Sequence, residues 1–199
     1  MRKSLTGHRP LPRHLPACGT RRNKVIIRRA FPEDLEVCAE ADASVETDHV
    51  WQLEERSVGN ELQITFRTAR LPRPMRVPYP HDLSRLTEEY DRDECFLVAS
   101  QGSEILGFID VRLEPWDRIG WVHHLVVMRR YRRRGVGTRL VQAAAEWARR
   151  ANLRQLMLES STKNYPGLCF CQRLGCAFCG YNDRLYSSQD IAVFFAYPL

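Results

Sequence analysis

The chain has 199 residues, of which 44% are hydrophobic and 27% charged, with a formal net charge of +6. That length suits one domain with a full core, and the composition is that of an ordinary globular protein rather than a fibrous or low-complexity one. No window approaches eighteen consecutive apolar residues, which excludes a membrane-spanning helix, and no apolar segment near the start resembles a signal peptide.

The charge is unevenly placed. Residues 1–29 hold nine Arg or Lys and no Asp or Glu, so the rest of the chain is slightly acidic. Residues 1–24 carry prolines without apolar periodicity and read as a disordered basic tail, leaving 25–199 as the folded domain. An acidic body suits a cationic small molecule.

In chain order, 25–29 reads as a first strand. Pro32-Glu33-Asp34 opens a helix to about residue 43, with proline and acids in its first turn. Segments 50–55 and 62–67 flank Gly59-Asn60 as a hairpin. Residues 71–80 hold four prolines and read as a loop, and 82–90 as a short helix. Strands are expected over 95–100, 105–113 and 120–127. Val136, Leu140, Val141, Ala144, Trp147 and Ala148 fall at helical spacing, which predicts an amphipathic helix over 135–150. A strand over 155–159, a helix over 164–175 and a last strand over 191–196 follow. Mostly strands with helices interposed imply a mixed α/β sheet covered on both faces.

The chemistry concentrates between the strand ending Leu125-Val126-Val127 and the long helix. Arg132-Arg133-Arg134-Gly135-Val136-Gly137-Thr138 is a basic glycine loop leading into a helix N-terminus. Glycines let backbone N–H groups approach an anion, and the helix start adds orphan donors and partial positive charge. Guanidinium groups can grip a phosphate with paired hydrogen bonds. A nucleic-acid patch is the other reading of these arginines, but glycines ahead of a helix favour a compact phosphate cradle, so nucleic acid is not expected as a partner.

The spacing is neither a Walker loop nor a dinucleotide fingerprint. Arg132-x-x-Gly135-x-Gly137 resembles the acetyl-CoA pyrophosphate loop of the GNAT acyltransferase superfamily. Asn164, Phe170 and Leu174-Gly175 resemble that family's second signature, Asn-x-x-Ala-x-x-Phe-Tyr followed by Gly-Phe. The resemblance implies a GNAT acyl-CoA N-acyltransferase fold with a splayed parallel strand pair. It also implies acetyl-CoA as donor, bound by Leu125, Val126 and Val127 along the pantetheine arm. Arg132, Arg133, Arg134, Gly135, Val136, Gly137 and Thr138 would hold the pyrophosphate, and Asn164 would touch the cofactor.

For the transfer itself, His123 is the candidate base. Strand alternation puts it on the side of Leu125 and Val127, with His124 opposite unless a bulge exchanges them. The family's tyrosine acid falls on Cys171, so Cys171, Tyr165, Tyr186 or water would protonate the leaving thiolate. The family's alanine is Gly167 here, and Cys176 stands where its phenylalanine does. A finer resemblance, carried by Leu158-Glu159, Asn164 and the run from Asp190 to Phe195, is to streptothricin-type acetyltransferases. It implies a primary amine on a small cationic acceptor. Asp48, Trp51, Tyr79 and Trp116 are candidate walls, and Asp110, Glu114, Asp117 and Glu159 could attract the cation.

Cys169, Cys171, Cys176 and Cys179 cluster in sequence, yet only Cys176-x-x-Cys179 has the usual zinc-pair spacing, so no metal is assigned. Seven cysteines without a secretion signal point to the cytoplasm. A homodimer stays open. The rival functions are a protein lysine or N-terminal acetyltransferase, a non-catalytic acyl-CoA-binding regulatory module, and a zinc or nucleic-acid module.

Overall fold

The computed structural model describes residues 24–90, 95–114 and 117–199. The basic tail up to residue 23 and Trp116 therefore lie outside the described residues. The elements run β1 (Ile26–Arg29), α1 (Pro32–Ala39), β2 (Val45–Val58), β3 (Glu61–Val77), α2 (Leu86–Glu89), β4 (Cys95–Gln101), β5 (Glu104–Glu114) and β6 (Ile119–Val127). They continue with α3 (Val136–Arg150), β7 (Gln155–Ser161), α4 (Tyr165–Arg173), β8 (Ala177–Asn182) and β9 (Ala192–Pro198). Seven strands form one mixed sheet in the order β1-β4-β5-β6-β7-β9-β8, while β2 and β3 pair separately. Among the described residues no helix is long and apolar enough to cross a membrane.

Alternation along the central strands builds two cores. Phe96 and Val98 of β4, Phe108 of β5 and Val126 of β6 face α1 and α2, where Leu35, Cys38, Leu83 and Leu86 meet them. Ile109 and Val111 of β5 face the apolar stripe of α3, Leu140, Val141, Ala144 and Ala148, together with Leu156, Leu158 and Phe195. Helices thus lie on both faces, as the period-2 and period-3.6 patterns imply.

Two expectations need correcting. Residues 71–77 are strand, not loop. The prolines are accommodated because the β2–β3 register skips from Arg70 opposite His49 to Met75 opposite Thr47. Pro72 and Pro74 fall within that skip, where no ladder donor is required. The hairpin is accordingly much longer than the 50–55 and 62–67 expected. The first helix also stops at Ala39 rather than near residue 43.

Two irregularities of β6 shape the functional region. Against β5, Asp110 pairs with His124 but Val111 pairs with Val122, so His123 is an extra, bulged residue. Val122 consequently packs toward α3, whereas Val126 packs toward α1. Against β7, the parallel pairing covers only Ile119–Trp121 opposite Gln155–Met157. Beyond those three pairs the strands diverge, and β7 continues paired with β9 alone.

Candidate active site

The divergence opens into a cavity of about 660 Å³ lined by β6, β7, the start of α3, α4 and the loop before β9. One end is the arginine–glycine loop. Gly135 precedes α3 with φ +78°, and Arg133 is also left-handed at +63°. Glycine takes that conformation freely, whereas an arginine there stores about 1 kcal/mol or more of strain. Left-handed residues in a turn gather successive N–H groups around a concavity, and the first N–H groups of α3 have no intrahelical acceptor. A Cβ on Gly135 would meet nothing within 4 Å, so the space in front of it is open. A Cβ on Gly137 would lie 3.3 Å from the Phe170 ring and 3.5 Å from Val127, so glycine lets α3 seat close against both.

The arginines divide their work. Arg132 donates to the carbonyls of Val127 (2.9 Å), Ser44 (2.6 Å) and Asp42 (3.0 Å), bracing the loop against the strand end and the chain before β2. Burial holds its guanidinium below the usual arginine range. Arg129 pairs with Glu46 and Arg130 with Glu104, while Arg134 lies over the Tyr131 ring at 5.7 Å. Of the Arg132–Arg134 triplet, Arg132 and Arg133 line the cavity. Since the Arg132 side chain is committed to carbonyls, Arg133 is the one placed to offer its charge.

Along the walls run Leu125, Val126 and Val127 from β6, Val136, Gly137 and Thr138 from α3, and Leu158 to Ser161 from β7. Asn164 caps α4, its side-chain oxygen accepting from the Gly167 N–H at 3.0 Å, and it too faces the cavity. Ser160, 6% exposed, has a buried hydroxyl with no hydrogen-bond partner among the described residues, on the strand that β6 has left. A buried orphan donor beside an open backbone edge fits a ligand that hydrogen-bonds like a strand.

The other end is polar. His123 lines the cavity, as do Leu125 and Val127, while His124 is buried beneath. The Tyr79 hydroxyl meets His124 Nδ1 at 3.0 Å, and the His81 ring stands 5.6 Å from that of His124. His81 Nε2 lies 3.3 Å from Glu159 Oε1, and the Tyr186 phenol adjoins the same carboxylate. Burial pushes Glu159 up, but the adjoining His81 and Tyr186 side chains and the nearby His123 hold it below the usual glutamate range. Burial, then the adjoining Glu159, push the Tyr186 phenol up, so it stays protonated.

Cys171 lies in the cavity wall but is only 4% exposed. Its thiol adjoins that of Cys176, which with burial pushes it up. Tyr165 stacks on His49 at 5.2 Å and does not line the cavity. Of the other candidates, Tyr79 and Glu159 reach the cavity, whereas Asp110 is buried beside Tyr79. Trp51 is packed on Phe66 and Phe195, and Asp48, Glu114 and Asp117 are exposed. Sequence reasoning missed His81 and Ser160. Neither sits in a periodic or motif-like setting; only the long hairpin's return brings His81 over β7.

Comparison with known proteins agrees with this geometry. The model of the acetyltransferase (GNAT) family matches residues 61–176. Streptothricin acetyltransferase of Streptomyces lavendulae is 26% identical over 180 residues, covering 86% of this chain and 93% of that protein. An N-alpha-acetyltransferase of Sulfurisphaera tokodaii is 29% identical over 142 residues, covering 65% of this chain and 83% of the relative. Among solved structures, nourseothricin acetyltransferase superposes with a TM-score of 0.75 at 27% identity, over 87% of this chain and 98% of that one. With its splayed strands, basic glycine loop and matching family model, the chain belongs to the GNAT acetyltransferase family, whose acyl donor is acetyl-CoA.

Proposed function

We propose that this acetyltransferase transfers acetyl from acetyl-CoA directly to a primary amine of a small cationic acceptor, of the kind represented by streptothricin. The observation that carries the reading is the single cavity joining a phosphate cradle at one end to an acidic, histidine-bearing cluster at the other. The likeness to streptothricin acetyltransferase over most of both chains favours a small molecule over a protein terminus. Free thiols and the donor fit a cytoplasmic enzyme.

When bound, acetyl-CoA supplies an activated thioester. The loop from Arg132 to Thr138 takes the pyrophosphate on its N–H groups, with Arg133 adding charge. The diverged edges of β6 and β7, with Ser160 and Asn164, take the pantetheine amides. Glu159, kept ionised by His81 and Tyr186, draws the acceptor's ammonium into the polar end. His123 removes the proton that makes the nitrogen nucleophilic. Tyr186, protonated and at the same end of the cavity, returns a proton to the leaving thiolate in preference to Cys171, whose thiol is buried against Cys176.

Release of free CoA thiol on a panel of amines tests the proposal. Turnover with streptothricin-type polyamines and none with N-terminal peptides is expected. The reverse selectivity would favour the protein acetyltransferase reading. Heat of acetyl-CoA binding without turnover of any amine would favour a regulatory module.

A further inference from the structure

Helix α4 ends in a two-bond stop. Gly175 is left-handed at φ +78°, its N–H donates to Gln172 O at 3.0 Å, and the Cys176 N–H donates to Cys171 O at 3.1 Å. This stop normally brings an apolar contact between the third-last helical residue and the second residue past the cap. In this chain both positions are cysteine. The bond between Cys176 N and Cys171 O confines their α carbons to about 7 Å at most, the upper end of the disulfide range.

The two thiols adjoin each other across this stop, and they are unequal. Cys171 is buried, while Cys176 is half-buried. The adjoining Cys171 lowers the Cys176 thiol despite its burial, and Cys176 with burial raises Cys171. By contrast Cys38 is fully buried and pushed up to about 12. A partly accessible cysteine beside a second, buried thiol is the arrangement of a peroxide-reactive pair.

We propose that Cys176 and Cys171 form an oxidisable dithiol, in which Cys176 reacts with a hydroperoxide and Cys171 resolves the product as an intramolecular disulfide. The Cys176 thiolate attacks the distal peroxide oxygen. The O–O bond breaks, Cys176 becomes a sulfenic acid, and the departing oxyanion leaves as water or alcohol on taking a proton. The Cys171 sulfur then attacks the sulfenic sulfur; the S–S bond forms, the S–O bond breaks, and the hydroxyl leaves as water with the Cys171 proton. The two sulfurs together lose two electrons and the peroxide gains them.

The test is peptide mapping of the full chain after brief treatment with hydrogen peroxide. Trypsin cuts after Arg173, so the expected product is a linked pair, 164–173 with 174–184, two hydrogens lighter than the separate peptides and released by dithiothreitol. The link should survive in a Cys169→Ser/Cys179→Ser double variant and vanish in Cys176→Ser. In Cys171→Ser, Cys176 sulfenic acid should accumulate and be trapped by dimedone. A link that requires Cys169 or Cys179 would overturn the proposal. So would peroxide that oxidises exposed Cys179 while leaving Cys176 reduced, or conversion of Cys176 to sulfinic acid without any link.

Discussion

Gly167→Ala is the most informative single change. A Cβ at Gly167 would lie 2.5 Å from Asn164 Nδ2, 2.9 Å from Asn164 Cγ and 2.9 Å from Ser160 Oγ. The Asn164 amide has a short stem and is held by the bond it accepts from the Gly167 N–H. It can escape only by giving up that cap, which costs about 1 kcal/mol. Alanine in a helix returns about 0.5–1 kcal/mol relative to glycine. The net loss of stability is thus at most about 0.5 kcal/mol, equivalent to no more than roughly 2 °C in Tm for a chain of this size. The effect on the donor is larger in proportion. Asn164 and Ser160 both face the cavity, and displacing them removes about one hydrogen bond's worth of affinity, roughly tenfold in Kd. Thermal unfolding and calorimetric titration with acetyl-CoA, run on the same preparation, separate the two effects. A variant with a raised Tm and wild-type affinity would refute the reasoning, because it would show that Asn164 need not move and does not touch the donor.

Other changes probe other parts of the site. Gly135→Val should weaken acetyl-CoA binding at least tenfold while the fold persists, since its cost is a β-branched residue at φ +78° whose side chain stands in the open cradle; equal affinity by titration would remove the loop from the binding site. Glu159→Gln should lower kcat/KM about 10- to 10²-fold, chiefly through KM, with the Tm little changed. Because Glu159 is held below the usual range, its contribution to the wild-type rate should be present above about pH 4.3 and fade only as pH falls through its depressed value. Asp34, lowered by its hydrogen bond with Arg28 at 2.6 Å, gives stability that is complete above about pH 3.9 and is lost as pH falls through its native value. Asp34→Asn should therefore flatten the acid limb of urea-unfolding stability, and an unchanged limb would assign that limb to other carboxylates.

The strand–loop–helix unit was legible because local signals coincide there: an apolar β6, glycines where backbone must come close, and a clean helical stripe in α3. His123 does line the cavity, but the bulge falls on that residue, so simple alternation could not fix its direction. The hairpin's extent was not legible. Prolines argue against a strand unless a register skip excuses them, and a skip depends on the partner strand rather than on the prolines themselves. His81 was harder still, because it lies far from Glu159 in sequence and meets it only after the sheet has closed, and Tyr186 was named only among alternative acids with nothing to tie it to Glu159. Cys171 is a different case. Its position in a motif suggested chemistry, while its contact with Cys176 arises from the way α4 stops.

The brevity of the β6–β7 ladder divides the sheet mechanically. Four strands on one side and three on the other are joined by three residue pairs and by the helices laid across them. A ligand lying in the gap would act as a staple between two half-sheets, so the stiffness of the enzyme becomes a property of its loaded state. Amide exchange along the inner edges should slow together when the gap is filled, and a donor analogue should raise the cooperativity of unfolding as well as its midpoint.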